Sequence, residues 1–293
     1  MDEWNAPGAL GDTGDTGDTA QRLYVYAIGA ADIAAPAQVA GFGGPLFVVR
    51  YGALGAVVSR MRPSARPDQH RASETSETVD APDGGAPTAS GENLLRHEAI
   101  VEAICAGAAA LPVRFGVILP DEAAVERALE RQRDTLRADL LRIGDKVEMG
   151  VIALWNPAVI QEETEKDAEV ALAANQRAEP RPGLAYLRAR QAQYQRSAAL
   201  RARAERLGDA LDAELRPRPL QSQRALCPAP RLALRAIHLL ERAQVGAFEE
   251  AFDAARRRHA AEARLLLSGP WPPYSFVSAP RPTAPAHASA HLQ

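Results

Sequence analysis

"SGPWPPYSFV", Ser268–Val277, is the stretch on which the reading of the chain turns. A tryptophan set between prolines and followed by a tyrosine suits three things: a lid over an enzyme's site, a proline-rich ligand in a signalling tail, or an apolar plug inside a fold. The run "ARLLLS" leads straight into it and reads as a strand, so the segment does not begin in a free tail. Prolines fix φ and lack a backbone donor, which lets a chain leave a sheet edge without leaving N–H groups unpaired. Trp271, Tyr274 and Phe276 supply large apolar area in a chain whose aromatic content is 5%. The plug is therefore the favoured reading. It predicts that Gly269 lets the chain turn and that Pro270, Pro272 and Pro273 hold it extended. Trp271 and Tyr274 should then be buried against the first domain or the base of a helical hairpin. The alternative is an exposed Trp271 that binds a partner.

The bulk composition narrows the classes. At 293 residues with 46% hydrophobic content, the chain can bury one large core or two ordinary ones. Its 34 basic and 37 acidic residues give a net charge of -3, which argues against a nucleic-acid surface. Cys105 and Cys227 stand far apart without CxxC spacing, as in a reducing compartment. "MDEWNAPGAL" has neither the basic nor the apolar region of a secretory signal, and no apolar run reaches membrane-spanning length. The expectation is a cytoplasmic protein without a membrane or nucleic-acid partner.

Working back from the signature, the periodicities predict an α+β protein of two mixed domains with a projecting antiparallel helical hairpin. Residues 1–21 read as a disordered leader and 279–293 as a disordered tail. The N-terminal domain, 22–144, opens on "LYVYAIGA", apolar on both faces like a buried strand. A hairpin, Leu46–Arg50 and Leu54–Ser59, follows across "YG". Residues 62–91, rich in Pro, Ser, Thr, Asp and Gly, read as a mobile insertion. "ENLLRHEAIVEAICAGAAA" predicts a helix with Leu94, His97, Val101, Ile104 and Ala108 inward. "LPVRFGVIL" predicts a strand, and Asp121 caps one long helix reaching Ile143.

The C-terminal domain, 145–278, opens on the strand "KVEMGVIALW". Residues 159–216 predict the hairpin, turning at "EPRPG", with a thin stripe through Leu187, Tyr194, Leu200, Leu207, Leu211 and Leu215. Helices with so little apolar surface should stand largely in solvent, and their free faces, with Arg190 and Arg201, are candidate partner contacts. "RLALRAIHLLER", "VGAFEEAFDAARRRHA" and "EARLLLSG" complete the domain as strand, helix and strand.

Candidate chemistry is sparse. "HEAIVE" resembles half of a metalloprotease helix, but Val101 stands where the second histidine belongs. His97 and His238 read as hydrogen-bonded core histidines. Arg114 and Glu148, each set in an apolar strand, read as a structural pair or as two snorkelled side chains rather than as site residues. No nucleophile elbow, phosphate loop or dinucleotide fingerprint is present, so no catalytic residue, cofactor or metal is expected.

"GPWPPYSF" after "FEEAFDAARRRH" is similar to the C-terminal signature of the GvpL/GvpF family of gas vesicle proteins. "LYVYAI", "LLRHEAIVEAI", "LPVRFGVIL", "RIGDKVEMGVIALW", "GLAYLRAR" and "ALRAIHLLER" agree in order, so the resemblance covers about residues 22–278, outside the insertion. "LPVRFG" and "GPWPPYSF" are its most specific parts. The positions expected to be structural or to carry the family signature are His97, Arg114, Phe115, Gly116, Glu148, Gly269, Pro270, Trp271, Pro272, Pro273 and Tyr274. A departure is the proline- and arginine-rich "RPRPLQSQRALCPAPR". The resemblance implies two α+β domains with a helical hairpin, no catalysis, and an accessory role in forming gas vesicles, the gas-filled protein shells that give buoyancy. Its implied partners are the small hydrophobic shell protein and other vesicle proteins, met during nucleation. The competing class is a small-molecule-binding regulator or an enzyme on an α+β fold.

Overall fold

A computed structural model describes residues 22–61, 87–162, 164–166, 182–229 and 231–278. The leader, most of the insertion, the hairpin turn and the tail lie outside these. The chain divides into two compact units, one of residues 1–145 together with 272–293, the other Lys146–Trp271. The stretch 272–278, expected in the C-terminal domain, thus belongs to the first unit.

In the first unit β1 (Leu23–Ala30) lies inside an antiparallel sheet with β2 (Leu46–Tyr51), β3 (Leu54–Arg60), β4 (Ala110–Pro112) and β5 (Ile118–Leu119). Its apolar residues on both faces are buried, as the unbroken hydrophobic run requires. Gly52, at φ 55, makes the β2–β3 turn. A register shift falls between Val25 and Ala27, and around it Tyr24, Tyr26 and Ala27 all join one core cluster.

"LPVRFGVIL" is not the single strand its pattern predicts. β4 pairs with Ala27–Gly29 and β5 with Leu23–Tyr24. Between them Val113–Val117 forms a loop, opposite the irregularity in β1 and with Gly116 at φ 91. Arg114 is therefore an exposed loop residue rather than a charge within a strand.

Helix α1 (Gly91–Gly107), capped by Ser90, buries His97, Ile100, Val101, Ile104 and Cys105, whereas Leu94, expected inward, is 44% exposed. The predicted long helix is two, α2 (Glu122–Arg131) and α3 (Arg133–Ile143), parted where Gln132 leaves helical geometry at φ -106, ψ 10. Asp121 does cap the first, accepting the Ala124 N–H at 2.6 Å.

In the second unit the antiparallel order is β7–β8–β6–β9: β6 (Lys146–Trp155), β7 (Gln221–Ala229), β8 (Leu232–Glu241) and β9 (Ala263–Trp271). β6 alternates half-buried and buried residues along its whole length, so one sheet face is covered. Helix α4 (Pro182–Glu214) and helix α5 (Val245–Arg258) supply the cover, with Leu207, Leu211, Phe248 and Phe252 in the core. β7 escapes sequence reading because "QSQRALCPA" is polar and holds a proline. It is an edge strand, and Pro228 falls at its register shift, where no ladder donor is demanded. β9 runs on through Gly269, Pro270 and Trp271 instead of ending before them.

Candidate functional site: a sealed signature cluster and an exposed helical arm

Of the positions expected to carry the signature, His97, Phe115, Gly116 and Tyr274 meet Tyr24 in one ring cluster of the first unit, while Arg114 stays exposed. Val113 carbonyl oxygen can only accept, so His97 Nε2, 3.0 Å away, carries the proton and donates. Nδ1 is then the acceptor, and the Tyr24 hydroxyl donates to it at 3.1 Å. The same Tyr24 oxygen accepts the Gly116 N–H at 2.8 Å. Both ends of the "VRFG" loop thus hang on one tyrosine–histidine pair. Burial pushes the His97 imidazole down to about 4, against the opposing pull of the Val113 bond, and pushes the Tyr24 hydroxyl up. Beside them the Tyr26 hydroxyl accepts the Phe42 N–H at 2.8 Å and lies 3.0 Å from Ser59 Oγ. Phe115 stands edge-on to His97, with centroids 5.6 Å apart. Phe42 stacks on Tyr26 and carries the Arg96 guanidinium over its outer face.

The C-terminal signature splits in function. Pro272, Pro273 and Phe276 are buried, and Tyr274 packs against the Tyr24 cluster, its hydroxyl pushed up by burial and by the Glu98 carboxylate. Trp271 is not part of the plug: it ends β9 opposite Glu148 and remains 40% exposed. In β9, Gly269 and Pro270 together face Met149, forming a bulge between the Glu148–Trp271 and Gly150–Ser268 pairs. Gly269 takes φ 113, and a Cβ there would come within 2.7 Å of the Glu148 carbonyl, so only glycine fits. Sequence reasoning missed a further element. Asp139, only 2% exposed, receives both the N–H and the hydroxyl of Ser278, while Arg142 donates to Asp139 and to the Phe276 carbonyl at 2.6 and 2.7 Å. An aspartate among the polar residues of a helical pattern carries no sequence signal of this role.

In the second unit His238 is buried with Nδ1 2.9 Å from Ser222 Oγ, and burial lowers its basicity. Glu148 lies half-buried on β6. Among the described residues no group of three His, Cys, Asp or Glu side chains is placed to hold a metal ion. No helix of the described residues is long and apolar enough to cross a membrane.

α4 is two-faced along its length. Ala204, Leu207 and Leu211, with Leu215 just past the helix end, are buried in the core, so this half does not stand free as the hairpin reading predicts. In its first half Tyr186, Leu187 and Tyr194 are 64%, 64% and 77% exposed. Arg190 and Arg201 are also exposed, the first donating to the Tyr186 hydroxyl at 3.3 Å, the second 3.6 Å from Glu205.

The chain resembles proteins of one kind. It is 31% identical over 182 residues to gas vesicle protein L of Streptomyces sp. (strain CB03234), covering 62% of this chain and 67% of that one. It is 28% identical over 262 residues to gas vesicle protein F of the same strain, covering 87% and 98%. The fold matches the crystal structure of GvpF from Anabaena sp. PCC7120 at a TM-score of 0.67 and 17% identity, over 89% of this chain and all of that one. GvpF from Microcystis aeruginosa matches at 0.66 and 15%, over 88% and 99%. The family model for gas vesicle synthesis protein GvpL/GvpF spans residues 22–278, and the chain belongs to that family.

Proposed function

We propose that, within gas vesicle formation, this chain acts as a non-catalytic assembly protein of the cytoplasm. On this reading it binds the hydrophobic shell protein and other vesicle proteins during nucleation and is a minor component. The observation that carries the reading is how the side chains are used. The polar groups best placed for chemistry, Tyr24 and His97, are bonded into a sealed loop support, while Tyr186, Leu187 and Tyr194 are displayed on an exposed helix. A shell subunit apolar enough to bound a gas space aggregates before assembly unless its surface is covered. A soluble companion with an exposed helical face lowers that hazard.

Co-expression with each vesicle protein in turn, followed by affinity capture, tests this. Retention of the shell protein and of at least one accessory protein is the expected result. Capture of neither, or a stoichiometric small molecule carried through purification and needed for vesicle formation, would replace the reading with that of a ligand-binding regulator.

A further inference from the structure

The first half of α4 has a chemistry of its own. At 100° per residue, Tyr186, Arg190, Tyr194 and Leu187 fall within a sector of about 100°, and Tyr186 to Tyr194 spans about 12 Å. All four are exposed. Between Pro182 and Ala204 the helix carries arginines at 188, 190, 196, 201 and 203 and no aspartate or glutamate, Glu205 being the first acid. Arg203 is engaged by Glu262 at 2.6 Å and by Glu162 at 3.5 Å, and Arg201 lies near Glu205, whereas among the described residues no carboxylate pairs with Arg190. Tyrosine and arginine are enriched at protein interfaces, since each joins apolar surface to a planar group with polar hydrogens. The bond from Arg190 to the Tyr186 hydroxyl ties the guanidinium to the phenol oxygen, which reduces the order still to be gained on binding.

We propose that this tyrosine–arginine stripe docks an acidic amphipathic helix of another vesicle protein. Leucine-type side chains of that helix would cover Tyr186, Leu187 and Tyr194, and its carboxylates would meet Arg190. Positive charge at Arg190, on a stretch of helix with no acid before Glu205, selects a partner of the opposite sign and disfavours a second copy of this stripe. The proposal rests on the assembly role given above and adds which surface is used and what chemistry it selects.

The test is site-specific photocrosslinking of the full chain in a vesicle-forming host, with p-benzoylphenylalanine replacing Tyr194 and, as control, the 87%-exposed Leu141. The expected result is an adduct at 194, absent at 141, mapping to a segment rich in Glu or Asp and Leu in another vesicle protein. Arg190→Glu should lower its yield about tenfold while Arg190→Lys retains most of it. No adduct, an adduct insensitive to Arg190→Glu, or one mapping to a basic segment, a second copy or residues 157–181 of the same chain would overturn the proposal. Deleting the chain in the same host keeps the two ideas apart. If vesicles persist undiminished, the assembly role falls; if they vanish and no acidic adduct forms, only the docking proposal falls.

Discussion

Asp139 and Ser278 are 139 positions apart in sequence and joined by two hydrogen bonds, of 2.7 Å to the Ser278 N–H and 2.9 Å to its hydroxyl. With Arg142 on the same carboxylate, this buried acid holds the end of the described chain to helix α3. Removing it takes the acceptor from the Ser278 N–H and hydroxyl and leaves the half-buried Arg142 its bond to the Phe276 carbonyl without the carboxylate. Asp139→Ala should cost about 2–4 kcal/mol, read as a lowered Tm. Ser278→Ala, which loses only the hydroxyl bond, should cost about 1 kcal/mol. Equal melting of Asp139→Ala and the parent would show that the clamp holds nothing.

A pH dependence follows from His97. Its folded value, about 4, lies below the ordinary 6.5 because burial disfavours the imidazolium. Between pH 6.5 and 4 the unfolded chain therefore binds the proton more readily. The stabilisation is fully present above pH 6.5 and is lost as pH falls towards 4, amounting to about 3 kcal/mol. His238, lowered for the same reason, acts in the same direction. Chemical denaturation from pH 7 to pH 4.5 should show the loss, and His97→Gln, though less stable at pH 7, should show a shallower one. An identical slope in the variant would assign the acid sensitivity elsewhere.

The two aromatic halves of the signature should separate in a melting experiment. Trp271→Ala, at a partly exposed strand end, is expected to cost less than about 1 kcal/mol. Phe276→Ala, buried, should cost about 3–5 kcal/mol. The reverse order would restore tryptophan to the plug.

Gly269→Ala places a methyl against the Glu148 carbonyl and forces φ 113 on a residue with a Cβ. A loss of about 1–3 kcal/mol is expected, whereas Gly246→Ala, where a Cβ meets nothing within 4 Å, should be stable or better. Comparable melting of the two variants would remove the bulge's demand for glycine.

Periodicity made the cores readable. β1, β6 and β8 follow from their apolar runs, and α5 from Phe248 and Phe252 one turn apart, because burial area dominates there. Local exceptions were not readable. Gln132 breaks a helix without glycine or proline nearby, and β7 is strand because β8 offers it a ladder, not because its residues prefer one. His97 was legible as a satisfied core histidine; that it props the "VRFG" loop was not, since a hydrogen bond spanning from residue 24 to residue 97 leaves no periodic trace. Trp271 misled because size and proline neighbours suggest burial, whereas its position on β9 decides the matter.

The return of residues 272–278 to the unit that begins the chain sets an order of events during synthesis. When Asp145 leaves the ribosome, Asp139 has no Ser278 to hold and the Tyr24 rings lack Tyr274. All of Lys146–Trp271 must be added first, a delay of roughly ten seconds at bacterial elongation rates. The first unit is thus begun before the second and finished after it. A chain broken off anywhere in the second unit carries the fault in the first, where an unclosed ring cluster exposes it to proteases.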